Sequence, residues 1–438
     1  MSEAGTRLLG VERIGVAWAG LTVLVACLIG GGTVANLASD RIIQAMMIPL
    51  AIIALLRADH MRAGWPVLTW LGLLLAVVLA NLAFFLTPNP LTDTQLGSIN
   101  PDRAVSYALF VSSLIGFAAY VLTLGDRAVK RIMLVFLTGL LVNVCVAALQ
   151  LSSDRLTQTQ GPFYVLSAGL FANQNHFSAL IHAFIPLLGW MLLDQARQPA
   201  LFVLSTAAMA LVLFAAQSYA AMALLIMTVL ASAAIFFRNS YGRRSVILSV
   251  LVGVVFVVGF IFIFMVQEPG DFSRDLRLQF WANTWAAVAD WMPFGTGFGG
   301  FHVVYPAYES IDQELSVFAN YAHNDWLEWV LETGVPGIAI AVFAILLALT
   351  NAFQSALKMG CALTLFALSL HSVVDYPVRT MPVAMLATFC LMVLWSRPHR
   401  VRRHGNAEAK QSNARERAEA LAALHEPELI ATRTANSR

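Results

Sequence analysis

Long apolar runs separated by short polar segments dominate the pattern of the chain. A run needs about 20 residues to cross the hydrocarbon core of a bilayer as a helix. The candidate runs lie near 15–36, 42–57, 65–86, 104–124, 132–152, 176–194, 200–217, 219–237, 245–266, 333–353, 359–375 and 380–396. The pattern predicts an all-α fold, a polytopic membrane helix bundle of about 12 transmembrane helices.

Composition supports a membrane bundle. The chain has 438 residues, of which 59% are hydrophobic and 12% are charged. Ordinary soluble domains carry roughly 25% charged residues, so lipid must be the solvent for most of this chain. Arg7 and Arg13 precede the first apolar run, as in a signal peptide, but no small-residue cleavage site follows. We therefore expect a retained first helix.

The distribution of positive charge sets the expected orientation. Cytoplasmic segments of membrane proteins carry an excess of lysine and arginine. With the N-terminus in the cytoplasm, most of the 27 lysines and arginines fall in cytoplasmic segments. The exceptions are Arg41, Arg103, Arg155, Arg274, Arg277 and Arg379. We expect both termini in the cytoplasm, because the reverse orientation would invert this bias.

The predicted spans divide the chain into a transmembrane bundle, residues 1–396, and a cytoplasmic polar tail, residues 397–438. The one long loop predicted on the outer side covers residues 266–332. Loops of this length in compact proteins are usually functional or disordered. This loop is rich in aromatic residues and glycine, so we expect it to be functional.

A helix is predicted inside the long loop. Leu278, Trp281, Trp285 and Val288 recur at helical spacing, which is typical of an amphipathic helix lying on the membrane surface. Pro293 should end it. An interfacial belt of aromatic residues is the alternative, and both interpretations can hold together.

Polar residues cluster at the outer ends of the predicted spans, where they are functional hypotheses by default. Asn173, Asn175 and His176 could hydrogen-bond sugar hydroxyls, and helix capping by either asparagine is the alternative. Arg274 and Arg277 could bind a phosphate or diphosphate group. Snorkelling of these arginines to phospholipid is the alternative.

A glycine-rich segment, residues 293–301, follows the predicted amphipathic helix. It contains a formal G-x-G-x-x-G match at Gly295, Gly297 and Gly300. That match is weak, because no strand precedes it and no βαβ unit is available. We interpret the segment as a flexible turn that brings backbone amides near a ligand or a neighbouring helix.

His323 lies at the outer mouth of a predicted helix and could act as a general base. Asp325, Glu328 and Glu332 share one helical face after it, and one of them could orient the imidazole. A hydrogen-bonded interfacial histidine without catalytic function is the alternative.

His371 and Asp375 form a second polar pair, near the outer end of the eleventh predicted span. A metal site with two histidines is disfavoured, because the chain lacks H-x-x-x-H spacing. We expect no metal.

In order and spacing, these segments resemble the O-antigen ligase and polymerase family, bacterial inner-membrane enzymes with many spans and one large periplasmic loop. The resemblance covers residues 160–385. Its marks are Gly169–Phe177 (GLFANQNHF), Arg277–Trp281, Pro293–Phe301, His323-Asn324 with Leu327, Glu332 and Gly334, and His371–Pro377.

The resemblance implies a GT-C-like glycosyltransferase of the bacterial inner membrane, with its active face in the periplasm. The donor would be a glycan linked to polyprenyl diphosphate. The acceptor would be a glycan or lipid A–core, so that the enzyme ligates or polymerises surface polysaccharide. Membrane lipid and a polysaccharide assembly complex are further expected partners. We expect no cofactor and no nucleic acid.

The same resemblance assigns residues to roles. His323 would activate the acceptor hydroxyl, and Arg277 would bind the donor diphosphate. The further substrate-binding candidates are Arg274, Asn173, Asn175, Asn324, His371, Asp375 and Tyr219.

The chain departs from the family at one position. Members often carry an arginine after a serine at the outer end of a tight helix pair, whereas this chain has Tyr219 after Ser218. The second diphosphate contact is therefore missing or supplied elsewhere. Arg274 and Arg379 are the candidates to supply it.

Two other functions stay open. A transporter or flippase of lipid-linked sugar would suit a bundle of many spans, although transporters usually place polar sites near the midplane within an internal repeat, and no repeat is visible. A non-catalytic assembly partner is the second alternative. The sugar, the acceptor, the choice between ligase and polymerase and the oligomeric state are all undetermined by the residues.

Overall fold

A computed structural model describes residues 3–33, 37–86, 101–152, 159–216, 218–236, 276–309 and 319–397. The chain up to Arg397 forms one compact unit. The predicted polar tail from residue 398 onward and the predicted span 245–266 lie outside the described residues. Arg274 also lies outside them, as does the side chain of Tyr219.

The described part of the chain is helical apart from one hairpin, β1 (Thr159–Gln160) and β2 (Val165–Leu166). The helices are α1 Glu3–Ile29, α2 Ala38–Leu56, α3 Trp65–Leu86, α4 Pro101–Val121, α5 Asp126–Ser152, α6 Gln174–Gly189, α7 Pro199–Ala215, α8 Tyr219–Phe236, α9 Leu276–Trp291, α10 Phe301–Val304, α11 Asp325–Asn351, α12 Ala356–His371 and α13 Met381–Trp395. A π-helical turn, Trp190–Gln195, extends α6, and the 3₁₀ turn Pro377–Arg379 precedes α13.

Among the described residues, seven helices are long and apolar enough to cross a membrane. These are α1 to α6, with α6 counted through Gln195, and α11. The shorter apolar helices α7, α8, α12 and α13 coincide with four further predicted spans. The prediction of an all-α polytopic membrane bundle is confirmed, whereas the number of twelve spans stays a prediction.

Helix α6 forms the centre of the bundle. It packs against α5, α7, α8, α12 and α13, and 89% of its most apolar window is buried within the protein. The corresponding values for α3 and α11 are 17% and 22%, as expected for helices whose apolar surface faces lipid. From His176 to Gly189, every residue of α6 is buried.

Two ends of the bundle can be distinguished. At one end, the chain after α1 pairs with the chain before α6, where the amide of Ala172 donates to the carbonyl of Gly31 (3.0 Å). At the opposite end, Arg62 donates to the carbonyls of Leu124 and Arg397. The first end, called the site end below, also carries the start of α11, the end of α12 and the start of α13.

Helix α11 is broken near its start. Gly334 has φ 59° and ψ −150°, and the next amide, Val335, donates to the carbonyl of Pro293 (2.8 Å). The residue before a proline disfavours the helical conformation, and Pro336 follows Val335. The break separates an apolar span from a polar first section that reaches back to Asp325, earlier than the predicted start at 333.

Helix α9 is the predicted helix of the long loop, and it ends at Trp291 before Pro293. The face that it buries against the protein consists of Phe280, Thr284, Ala287 and Val288. Of the predicted apolar face, Val288 packs against the protein, whereas Leu278 and Trp285 are 44% and 65% exposed. Their exposure leaves them available to the membrane surface.

Gly334→Ala should destabilise the protein, because a Cβ there would collide with the carbonyl of Pro293 in a backbone region open to glycine alone. We expect a loss of about 1–3 kcal/mol or more, seen as a lower midpoint of thermal unfolding in detergent. Gly72→Ala in α3 is the matched control, because a Cβ there meets no atom. Equal midpoints for the two variants would contradict the role of the break.

Candidate functional site

His323 stands immediately before α11 in a left-handed backbone conformation (φ 50°). This conformation is uncommon for a residue with a side chain. Its neighbours hold it in place: the amide of Ala322 donates to Glu328 (2.9 Å), and Asn324 caps α11 by accepting from the amide of Leu327 (2.9 Å). Strained backbone of this kind clusters at functional sites.

One ring nitrogen of His323 lies close to a carboxylate. Nδ1 lies 3.4 Å from Oδ1 of Asp375, and the ring packs between Phe280 and Tyr376, with centroids 6.0 and 4.9 Å away. The side chain is 27% exposed. A carboxylate that orients an imidazole through Nδ1 leaves Nε2 to exchange a proton with a substrate.

Asp375 is the buried hub of the site. Its Oδ2 accepts from the side-chain amide of Asn175 (2.7 Å), and its Oδ1 accepts from the backbone amide of Tyr376 (2.9 Å). Burial raises the pKa of Asp375, but interaction with the neighbouring imidazoles of His176 and His323 outweighs this effect and holds the pKa well below its ordinary value. The carboxylate is therefore ionised at neutral pH.

The start of α6 supports Asp375. Asn173 caps the helix by accepting from the backbone amide of Asn175 (2.8 Å). Helix capping was the alternative to sugar binding for this residue. The side-chain oxygen of Asn175 accepts from the hydroxyl of Ser218 (2.9 Å). The turn between α7 and α8, where Tyr219 replaces the expected arginine, thus lies next to the support of Asp375.

Arg379, whose side chain is 13% exposed, lies among three carboxylates of α11. Its guanidinium lies 3.4 Å from Asp325, 3.0 Å from Glu328 and 3.4 Å from Glu332, and it donates to the hydroxyl of Tyr107 (2.5 Å). The acidic residues that could have oriented His323 contact Arg379 instead, and Asp375 takes that role. Because Arg379 is fully engaged, it is a poor candidate for the second diphosphate contact.

The carboxylates around Arg379 also fix two loops. Glu332 accepts from the amide of Gly299 (2.8 Å) in the glycine-rich segment, and Glu328 accepts from the amide of Ala322 next to His323. The remaining amides from 295 to 300 donate to Trp291, Leu331, Glu332, Asn81 and Gly297. The glycine-rich segment therefore approaches a neighbouring helix, and its amides are not available to cradle a phosphate.

Arg277 lies in the first turn of α9, three residues before Phe280, and is half-buried. Its charge reaches the ring of His371. His371 is buried, with Nδ1 2.8 Å from Nε2 of His182 on α6. The structure thus brings Arg277 to the same end of the protein as His323 and Asp375, whereas His371 pairs inside the bundle.

Buried aromatic rings support His323 from the protein side. The connected rings are Phe280, Tyr305, Phe301, His302, Tyr321 and Tyr376. Sequence reasoning missed this set and the role of Tyr376 in it. The available signal was the position of Tyr376 directly after Asp375, since neighbours in sequence share a loop.

No cluster of three or more histidine, cysteine, aspartate or glutamate side chains suited to a metal ion is present among the described residues. The histidines near Asp375 are spread over α6, the start of α11 and the end of α12.

The fold and site define a polytopic membrane protein with a histidine–carboxylate pair at one end of its bundle. Residues 204–342 match the family model described as O-antigen ligase. This segment runs from α7 into α11 and includes Arg277 and His323. The match supports the O-antigen ligase family for this chain, which the sequence motifs predicted. No curated protein matches the chain.

Arg379→Gln should unfold the site end, because it leaves three buried carboxylates without their counter-ion. Removal of one partner of a buried pair costs about 3–5 kcal/mol, and thermal unfolding of the purified protein measures it. Asp126→Asn is the control, since Asp126 forms an exposed ion pair with Arg62 worth about 0–1 kcal/mol. Similar effects of both substitutions would contradict this role of Arg379.

Asp375→Asn should lower stability at neutral and at mildly acidic pH. A carboxyl group whose folded pKa is depressed stabilises the fold above its unfolded pKa and loses that contribution only as pH falls through the folded pKa. The unfolding midpoint of the variant should therefore lie below that of the wild type at about pH 5 as well as at about pH 7. A difference that disappears near pH 6 would show that Asp375 is protonated there.

Proposed function

We propose that the protein is a glycosyltransferase of the O-antigen ligase type. It transfers or polymerises a glycan carried on polyprenyl diphosphate, with a glycan or lipid A–core as acceptor. The observation that carries this proposal is the His323–Asp375 pair (3.4 Å), in which His323 belongs to the family-matched residues 204–342 and Asp375 lies beyond them. An imidazole held by an ionised carboxylate is suited to activating a hydroxyl.

The proposed reaction is a single displacement at the anomeric carbon. Nε2 of His323 takes the proton of the acceptor hydroxyl, and the hydroxyl oxygen forms the new glycosidic bond. The bond between the anomeric carbon and the diphosphate oxygen breaks, and its electron pair leaves on polyprenyl diphosphate. The anomeric configuration is inverted. Asp375 stabilises the imidazolium formed, which then releases its proton to the surrounding solution.

Arg277 is proposed to stabilise the charge that develops on the leaving diphosphate. Its position in α9 supports this role. Arg277 lies about one turn before Phe280, whose ring packs against that of His323. Arg274 is proposed as the second contact in place of the arginine absent at Tyr219. Asn324 is proposed to contact the glycan at the rim beside His323.

An apolar cavity of about 290 Å³ adjoins the site end. Trp326, Trp329, Leu365 and Leu368 are among its lining residues, and its polar lining includes Arg379, Asp325 and Glu332. A cavity with such a lining suits a segment of a hydrocarbon chain. This supports a donor that carries a polyprenyl chain.

We place the site end at the periplasmic face of the bacterial inner membrane, with both termini in the cytoplasm. The distribution of charge supports this orientation. The opposite end carries Arg57, Arg62, Arg127, Lys130, Arg131, Arg197, Lys358 and Arg397, and the site end carries fewer positive groups. A polysaccharide assembly complex is the proposed cellular setting.

Deletion of the gene and complementation with the wild-type chain test this proposal, with surface glycans and lipid-linked intermediates as the readout. Loss of glycan from lipid A–core, with polymer retained on polyprenyl diphosphate, indicates a ligase. Retention of single repeat units alone indicates a polymerase. An unchanged glycan profile in the deletion strain would contradict the proposed function.

His323→Gln should slow the exit of label from the lipid-linked pool by about 10²-fold or more, because a general base contributes about 10²–10⁴-fold. Arg277→Ala should also slow it, and Arg277→Lys should restore part of the rate. His60→Gln and Arg131→Ala, at exposed positions near the opposite end, are the controls. Normal turnover by correctly inserted His323→Gln protein would remove His323 from the mechanism.

A further inference from the structure

The Asp375 carboxylate faces a second imidazole. Nε2 of His176 lies 3.7 Å from Oδ1, the same oxygen that His323 Nδ1 approaches to 3.4 Å. The two rings also share Tyr376, which contacts each of them edge to face, with centroids 4.6 and 4.9 Å away. His176 and His323 are therefore arranged around one carboxylate and one phenol ring.

His176 is completely buried, and apart from the 3.7 Å approach of Nε2 to Asp375 its ring nitrogens have no hydrogen-bond partner among the described residues. Burial of an imidazole without full hydrogen bonding costs free energy that an apolar side chain would not cost. The other titratable groups near enough to interact with it electrostatically are Asp325 and His371. Packing alone does not account for a histidine at this position.

We propose that His176 is a positioning residue that shares the Asp375 carboxylate with His323 and thereby limits how strongly Asp375 retains a proton on His323. The inference rests on the proposed function of His323 as general base. His176 itself touches neither substrate nor reacting atoms.

His176 makes His323 release a proton more readily whether His176 itself is neutral or protonated. A neutral His176 that directs Nε2–H at Oδ1 competes with His323 for the charge of that oxygen. A protonated His176 repels the imidazolium form of His323 through the same carboxylate. Either way, removal of His176 leaves the whole carboxylate to His323, which then releases a proton less readily.

The pH dependence of turnover tests the proposal in the full-length protein. The rate at which label leaves the lipid-linked glycan pool is measured in cells of the complemented deletion strain, whose periplasm follows the pH of the medium, between about pH 5 and about pH 8. For His176→Phe, we expect the midpoint of the acid limb to rise by about half a pH unit or more relative to wild type. His176→Gln retains an N–H donor and should stay closer to the wild-type midpoint.

His182→Phe is the matched control. His182 is a buried histidine of the same helix, but its Nε2 contacts His371 rather than Asp375. We expect its loss to lower turnover by the same factor at every pH. A purely structural role of His176 predicts that same uniform loss for His176→Phe.

The outcomes are distinct. A wild-type midpoint in His176→Phe, or an equal shift in His176→Gln and His176→Phe, overturns the positioning role while leaving the proposed function intact. A deletion strain whose glycans do not depend on the wild-type chain overturns the proposed function and this inference with it. A shift in His176→Phe alone supports both.

Discussion

The buried ion cluster of Arg379 is the constraint on which the site end depends. One guanidinium with three carboxylates from a single helix is costly to bury, and the cost is offset when the remaining hydrogen-bonding positions are filled. Here Tyr107 takes one N–H group, and backbone amides of Ala322 and Gly299 use carboxylate oxygens. The cluster thereby joins the turn before α13, the first section of α11, the glycine-rich segment after α9 and the segment before α11 that carries Ala322 and His323.

Because Glu328 and Glu332 contact Arg379, Asp375 is the carboxylate that lies beside His323. If Glu328 or Glu332 had oriented the imidazole, the Arg379 cluster would lack a partner and the two loops would lose their anchors. Instead, the polar groups form two sets with different structural roles. The Arg379 set fixes the backbone around His323, and the Asp375 set, with Asn175 and Ser218 behind it, fixes the direction of the ring.

The helices, and the polar residues that share a helical face, could be predicted from the sequence. Contacts between residues far apart in the chain could not. The apolar runs predicted the helices, because hydrogen bonding within the backbone leaves few other structures in lipid. Helical spacing also predicted that Asp325, Glu328 and Glu332 share a face, and all three contact Arg379. Their partner lies 47 to 54 residues further along, a pairing that spacing within one helix cannot indicate.

The boundaries of helices show the same limit. The predicted span 359–375 ends earlier, at His371, because the following residues turn to place Asp375 beside Asn175, which is 200 positions away in the chain. For α9, the sequence shows which residues are apolar but not which of them the protein covers: Val288 is buried, whereas Trp285 is 65% exposed. The candidate functional residues lie where contacts between distant segments override the local sequence pattern.

Purified full-length protein in liposomes, supplied with lipid-linked glycan extracted from the deletion strain, tests the central claim most directly. The measured quantity is the amount of glycan bonded to acceptor together with the amount of polyprenyl diphosphate released. The account predicts that both form in equal amounts with the wild-type protein and that both form at least about 10²-fold more slowly with His323→Gln. Movement of intact lipid-linked glycan between leaflets, with no glycosidic bond formed, would contradict it.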